Sequence, residues 1–261
     1  MAFTVHAVMP GVWHIVDCMG VCMTLLEGEN AAMLVDTGYG IEDVADFMRH
    51  MKDLPLTVFL THNHHDHAMG ARCFPETYML EADMADWRMF TNDEMRRRVL
   101  TQAIGKNLPV DEKTFLAGEI PLPKVMKPGV IDLGGLTAEI IEAPGHTPGS
   151  AVVYVPERKL LLSGDDWNPC TWLFFPQALG LREYRSNMRG IQQLPFEKVL
   201  CPHREALYDR WMFDDFFNAL TDGNLRAAEP VNIAPYEQID TCQATLPHDQ
   251  VLVFDWAKSG L

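Results

Sequence analysis

The amino-acid sequence predicts an α/β chain in which two stacked, mixed β-sheets carry helices on their outer faces. Three observations predict it. Short apolar runs broken by turn residues fill residues 3–36 and again 130–162, so two β-rich halves occur. A stretch with apolar residues at helical spacing follows the first half and leads into a further apolar strand. Other helical patterns lie at 82–101, 181–193 and 204–225, between and after the halves, where they can cover the sheets.

Taken in order, the runs 3–8, 12–16, 21–27 and 31–35 are separated by Pro10-Gly11 and Gly28-Glu29-Asn30 and read as an antiparallel meander. Asp36-Thr37-Gly38-Tyr39-Gly40 ends it. Residues 41–51 then place Val44, Phe47, Met48 and Met51 on one helical face and pass through Leu54-Pro55 into a strand at 56–60. The second half reads as strands 130–133, 136–143, 151–155 and 159–162, punctuated by Gly134-Gly135 and Pro156-Glu157. Between the halves, 82–117 reads as a helical insertion carrying Met84, Trp87, Met89, Phe90 and Met95. A packed helix pair is the favoured reading of it, ahead of a Met-rich lid. Arg96-Arg97-Arg98 within it reads as a solvated helix face, with anion binding as the rarer meaning. The extension from about 227 to 261 reads as strand or irregular chain. With no linker, low-complexity tract or repeat, the expectation is a single domain over 1–261.

Composition narrows the function. Apolar residues make up 48% of the 261 and charged ones 22%, an ordinary globular balance. Lys and Arg total 21 against 36 Asp and Glu, a net charge of −15, so no basic surface exists to drive counterion release from a nucleic acid. No apolar run approaches the roughly eighteen residues of a membrane span, and the N-terminal segment lacks a signal-peptide pattern. The six cysteines are scattered without zinc-ribbon spacing. Together these predict a cytoplasmic protein that acts on a small molecule, and they leave the oligomeric state open.

The chemistry concentrates where the strand 56–60 stops. His62-Asn63-His64-His65-Asp66-His67 places four metal-ligand candidates, His62, His64, Asp66 and His67, within six residues of a strand end. His62 and His64 are two apart, so an extended backbone sends both to one side. Asp66 and His67 are adjacent, so a turn can aim them at a neighbouring position. Two metal positions follow, and His65 is left facing solvent.

This H-x-H-x-D-H loop resembles the hallmark of the metallo-β-lactamase superfamily. The later motifs occur in the family's order as Pro144-Gly145-His146-Thr147-Pro148-Gly149-Ser150, Ser163-Gly164-Asp165 and Cys201-Pro202-His203, with Asp36 in Leu34-Val35-Asp36-Thr37-Gly38 as the first of them. The resemblance covers roughly residues 10–205. It implies an αββα four-layer sandwich with the site along one edge of the two sheets. It also implies that His62, His64 and His146 hold one metal, that Asp66, His67 and His203 hold another, that Asp165 bridges them, and that Asp36 supports the ligand loop. Imidazole and carboxylate ligands suit two Zn²⁺ ions and equally admit Mn²⁺ or Fe. Such a pair would activate a bridging hydroxide, with Asp66 receiving the proton.

Among the branches of the family, the aspartate at 165 favours thioesterases, lactonases and phosphodiesterases over true β-lactamases. The tail after Pro230 holds one lysine and no arginine, which disfavours a glutathione-binding thioesterase. Position 168 is Asn, which disfavours the familiar signal lactonases. The reading is a dinuclear hydrolase of a small ester, thioester or lactone. The alternatives are an iron sulfur dioxygenase using one metal on His62, His146 and Asp165, a β-lactamase or phosphodiesterase, and a non-catalytic metal binder. Trp167, Trp172, Phe174 and Phe175 follow Asp165 closely, so they are the candidates for an apolar substrate rim, with core packing as the rival reading.

Overall fold

The computed structural model describes residues 3–51 and 53–261. Strands Thr4–Met9, Val12–Val16, Cys22–Glu27 and Ala32–Val35 form the antiparallel meander. Helix Val44–Met51 returns the chain so that Leu56–Phe59 pairs parallel to Ala32–Val35. Two short parallel strands, Tyr78–Met79 and Lys124–Val125, complete a sheet of seven. The second sheet has six strands. Gly129–Asp132, Thr137–Glu142, Ala151–Val155 and Leu160–Leu162 run antiparallel, Lys198–Leu200 joins parallel to Leu160–Leu162, and Tyr208–Asp209 closes the edge.

Side-chain alternation explains the layering. In the first sheet Leu26, Met33 and Val35 point inward and meet Ile140, Val153, Leu160 and Leu162 of the second sheet. Their neighbours Met23, Leu25 and Leu34 point outward and are covered by Val44, Ala45 and Met48 of the first helix. On the far side, Val152, Tyr154, Leu161 and Val199 are covered by Leu181, Tyr184 and Met188 of helix Leu181–Ile191 and by Phe213 and Phe216 of helix Arg210–Ala219. This order of helix, sheet, sheet, helix is the αββα sandwich.

Three local expectations are corrected. A third, four-stranded sheet exists: Cys170–Leu173 pairs parallel with Gln250–Asp255, which continues antiparallel into Thr241–Leu246 and Glu229–Pro230. Its alternation places Leu246, Leu252 and Phe254 in the outer core, and three of its four strands come from the tail whose pattern was ambiguous. The helical pattern at 204–225 begins only at Arg210, because residues 201–207 are spent on a loop and Tyr208–Asp209 pairs with the sheet edge. Arg96 is not solvated: it is 1% exposed, and its guanidinium donates to the carbonyls of Phe115, Ala117 and Gly118, closing the loop after helix Asp93–Gly105.

Candidate metal centre

Every chemistry-bearing motif leaves a strand at one edge of the sandwich. Asp36 follows Ala32–Val35, the histidine loop follows Leu56–Phe59, Asp165 follows Leu160–Leu162, and His203 follows Lys198–Leu200. These are carboxyl ends of parallel pairs, where chain leaving the sheet forms a crevice. Backbone bonds lock the two sheets together there: Ala151 N donates to the Thr61 carbonyl at 3.0 Å, and Cys22 N to the Pro202 carbonyl at 2.7 Å.

His64 keeps an extended backbone, so His62 and His64 share a side while Asn63 faces away. Asn63 is tied down by Asp83, which accepts its backbone N–H at 3.1 Å and whose carbonyl accepts its amide at 3.0 Å. The short helix His65–Ala68 then swings Asp66 and His67 toward a second centre. His62, His64 and His146 each offer a ligand atom within 4.8 Å of the others, as do Asp66, His67 and His203, and His62, His67 and Asp165 form a linking third group. Asp165 Oδ2 lies 3.1 Å from His203 Nε2 and 3.5 Å from His146 Nε2, while its Oδ1 lies 3.5 Å from His67 Nε2. The structure thus brings all seven nominated ligands together, with Asp165 touching a member of each main group.

A ring of outer partners orients them. Asp36 adopts φ 65°, a conformation Asp tolerates better than most residues, and so turns its carboxylate back to the loop. That carboxylate accepts from Thr61 N at 2.7 Å, from Thr61 Oγ1, and from His67 Nδ1 at 2.9 Å. Thr61 Oγ1 in turn meets His62 Nδ1 at 3.0 Å. His146 Nδ1 donates to the Trp172 carbonyl at 2.6 Å. In each case the proton belongs on Nδ1, which leaves the Nε2 lone pair for a ligand.

The donor set fits metal ions. His62 Nε2, His67 Nε2 and Asp165 Oδ1 are buried and have no hydrogen-bond partner, an arrangement costly for a polar atom unless a cation satisfies it. Burial, then the neighbouring imidazoles, push His62 and His64 well below the usual histidine range, so both stay neutral and able to ligate. Burial opposes the ionisation of Asp66, but His67, His65 and His203 outweigh it and hold the carboxyl at about 2. The same contest leaves Asp165 well below the usual carboxylate range, through His203 and His67.

A chamber of about 480 Å³ opens over the metal groups. Of the four proposed rim aromatics, Trp172 (38% exposed) and Phe175 line it, and the Phe175 ring sits 4.7 Å from His64 and 5.4 Å from His146. Trp167 and Phe174 do not line it, and their placement in the rim is corrected. Trp167 is fully buried against Tyr208 and Phe213 with its indole N–H on Gln250, and Phe174 packs behind Phe175 at 4.7 Å. Pairing along Cys170–Leu173 decides which rings turn inward. His65 does not face open solvent either. It lines the chamber with its ring edge-on to Tyr39 at 5.5 Å.

Sequence reasoning missed several neighbours. Tyr39 lines the chamber from the turn after Asp36, and Tyr236 lines it from the tail, packed on Phe175 at 5.4 Å. Tyr39 was visible three residues after Asp36 in a glycine-flanked turn, whereas nothing marked Tyr236. Gln177 lies 2.6 Å from His64 Nε2, and the buried Asp166 accepts the His146 backbone N–H at 3.0 Å.

Comparison with known proteins places this geometry in a family. The chain is 26% identical over 200 residues to an acyl-coenzyme A thioesterase, MBLAC2, of Gallus gallus, covering 69% of this chain and 70% of that one. It is 24% identical over 214 residues to an uncharacterized protein of Aquifex aeolicus (strain VF5), covering 76% and 90%. Among solved structures, a metallo-beta-lactamase from Pontibacter korlensis superposes with a TM-score of 0.60 at 18% identity, over 83% of this chain and 98% of that one. The model of the metallo-beta-lactamase superfamily matches residues 16–203, well over half of the chain. On that match the chain belongs to the metallo-beta-lactamase superfamily, and it is a metal-dependent hydrolase of that family.

Proposed function

We propose that the protein is a dinuclear hydrolase of small acyl thioesters, with related esters and lactones as slower substrates, and that Zn²⁺ is its metal. The observation that carries this reading is the pair of ligand groups, His62/His64/His146 and Asp66/His67/His203, meeting at Asp165 on the floor of a chamber with apolar walls. The thioester preference is supported by the activity named for the Gallus gallus relative. The cytoplasmic reading is supported by six cysteines that are all free.

Divalent ions held by these residues supply activation of water near neutral pH and polarisation of the carbonyl oxygen. The protein's own residues do the rest. Asp36, Thr61 and the Trp172 carbonyl fix the imidazole orientations. Asp66, ionised and lining the chamber beside His67 and His203, accepts the proton released from water as it attacks. Phe175, Trp172 and Tyr236 hold the apolar body of the substrate and exclude bulk water.

Elemental analysis of the purified chain should return two transition-metal ions, and a panel of thioesters, esters, lactones, β-lactams and phosphodiesters should rank thioesters first. Asp66→Asn should lower kcat by roughly 10²–10⁴-fold while KM changes little. A single iron with His67 and His203 uninvolved would replace this reading with the dioxygenase. Near-normal kcat in a fully loaded Asp66→Asn variant would remove Asp66 from the mechanism.

A further inference from the structure

The three arginines at 96–98 have three different fates. Arg96 is buried and structural, and Arg97 is exposed and lines no cavity described above. Arg98 points with Met95, Val99 and Gln102, at helical spacings of three and four, into the metal chamber. A second cavity of about 230 Å³ lies beside that chamber, and Phe90, Met95, Arg98, Phe175 and Tyr236 line both. Arg98 therefore stands at the waist between them. Among the described residues it makes no hydrogen bond or ion pair, although the chain carries 36 acidic residues against 21 basic ones. The charges lining the chamber are equal in number but separate by position. Its carboxylates are Asp66 and Asp165, both within the metal groups, while Arg98 and Arg204 are the cations of its wall. Arg98 is exposed at the chamber wall, and its unpaired guanidinium beside apolar rings offers a forked donor to an oxyanion entering from solvent.

We propose that Arg98 is a specificity-determining residue that binds a phosphate or carboxylate carried by the substrate away from its scissile carbonyl. This rests on the hydrolase reading above and names the substrate's second feature: an acyl group at the metals and an anionic group at the waist. Arg98 touches the non-reacting part of the substrate, so its contribution appears mainly in KM.

The test uses the metal-loaded full chain and four hexanoyl thioesters that differ in the thiol: N-acetylcysteamine and pantetheine (neutral), N-succinylcysteamine (carboxylate) and pantetheine 4′-phosphate (phosphate). The wild type should prefer at least one anionic thioester over its neutral counterpart by about tenfold or more in kcat/KM, and added salt should erode that preference. Whichever anion is preferred identifies the group. Arg98→Gln should bring the anionic-to-neutral ratio to within about threefold of unity, and Arg98→Lys should restore part of it, which separates charge from folding. Equal use of neutral and anionic thioesters by the wild type, or a preference retained in Arg98→Gln, would overturn the proposal. If no thioester is hydrolysed, the reaction reading fails, yet Arg98 is still decided by calorimetry with the S-methyl ethers of the same four thiols. An anion-dependent gain in affinity that Arg98→Gln abolishes supports the proposal, and equal binding of all four refutes it.

Discussion

Gln177 shows how much a single amide at the rim of the centre can decide. His64 Nδ1 faces His146 Nε2 at 2.8 Å, so Nδ1 is the His64 nitrogen directed at the first metal group, and its Nε2 must then carry the proton. Gln177 lies 2.6 Å from that Nε2, and its amide oxygen is buried without a partner. Turning the amide lets the oxygen accept the Nε2 proton, which satisfies both groups and fixes the tautomer that leaves Nδ1 free. Gln177→Leu should therefore weaken metal binding by the group that contains His64 by roughly 10–100-fold, read by chelator competition with Co²⁺ and by a changed visible spectrum, whereas Gln177→Glu should retain most of the affinity. Unchanged affinity in Gln177→Leu would mean that His64 is oriented by packing on Phe90 and Phe175 alone.

At the scale of elements, the strand Cys170–Leu173 and the turn after it separate structure from specificity. The strand is held by parallel pairing with Gln250–Asp255, and that register buries Leu173 while turning Trp172 outward over the chamber. Four aromatics that look equivalent in sequence therefore divide by the face they present. Trp167→Ala should cost about 3–5 kcal/mol of unfolding free energy, since the ring is wholly buried against Tyr208 and Phe213. Phe175→Ala should cost much less stability and instead raise KM, with metal content and most of kcat intact. Denaturant titration alongside steady-state kinetics checks both. A Phe175→Ala variant with unchanged KM would assign the apolar wall to Phe90 and Tyr236. The aromatic cluster beside the bridging aspartate was legible from spacing. The division within it was not, because the pairing partner lies about eighty residues downstream in a segment with an ambiguous pattern.

For the whole molecule, the ligand loop and the His146 loop must be held in register across the sandwich, and Asp83 does this from the intervening segment. Its carboxylate accepts from Asn63 N, from Thr147 Oγ1 at 2.7 Å and from Gly149 N at 2.6 Å. Gly149 is required for the approach, because a Cβ there would stand 2.6 Å from Asp83 N. Burial pushes the Asp83 carboxyl up to about 6, outweighing the hydrogen bonds that favour its charge. The folded chain thus holds a proton that the unfolded chain releases near pH 4. Stability from this group is fully present below the unfolded value and is lost as pH rises through the folded one, by on the order of 3 kcal/mol. Relative to the wild type, Asp83→Asn should therefore gain unfolding free energy between pH 4.5 and 7.5 in chelator-treated protein. A difference that does not vary with pH would show that Asp83 titrates alike in both states.

The local pattern by itself determined the two β-rich halves, the strand ends that carry the motifs and four of the ligand candidates, His62, His64, Asp66 and His67, while His146, Asp165 and His203 were named through the resemblance to the family. Alternation, glycine-proline punctuation and histidine spacing are short-range signals that survive in the bare chain. Only the tertiary structure decided that the tail adds strands beside Cys170–Leu173, that Arg96 is buried while Arg98 opens onto the chamber, and that Tyr39, Gln177 and Tyr236 join the site. Each of these depends on contacts between residues far apart in sequence. Which face of a strand or helix meets its partner is settled by the packing energy of the whole core, and no local pattern carries that information.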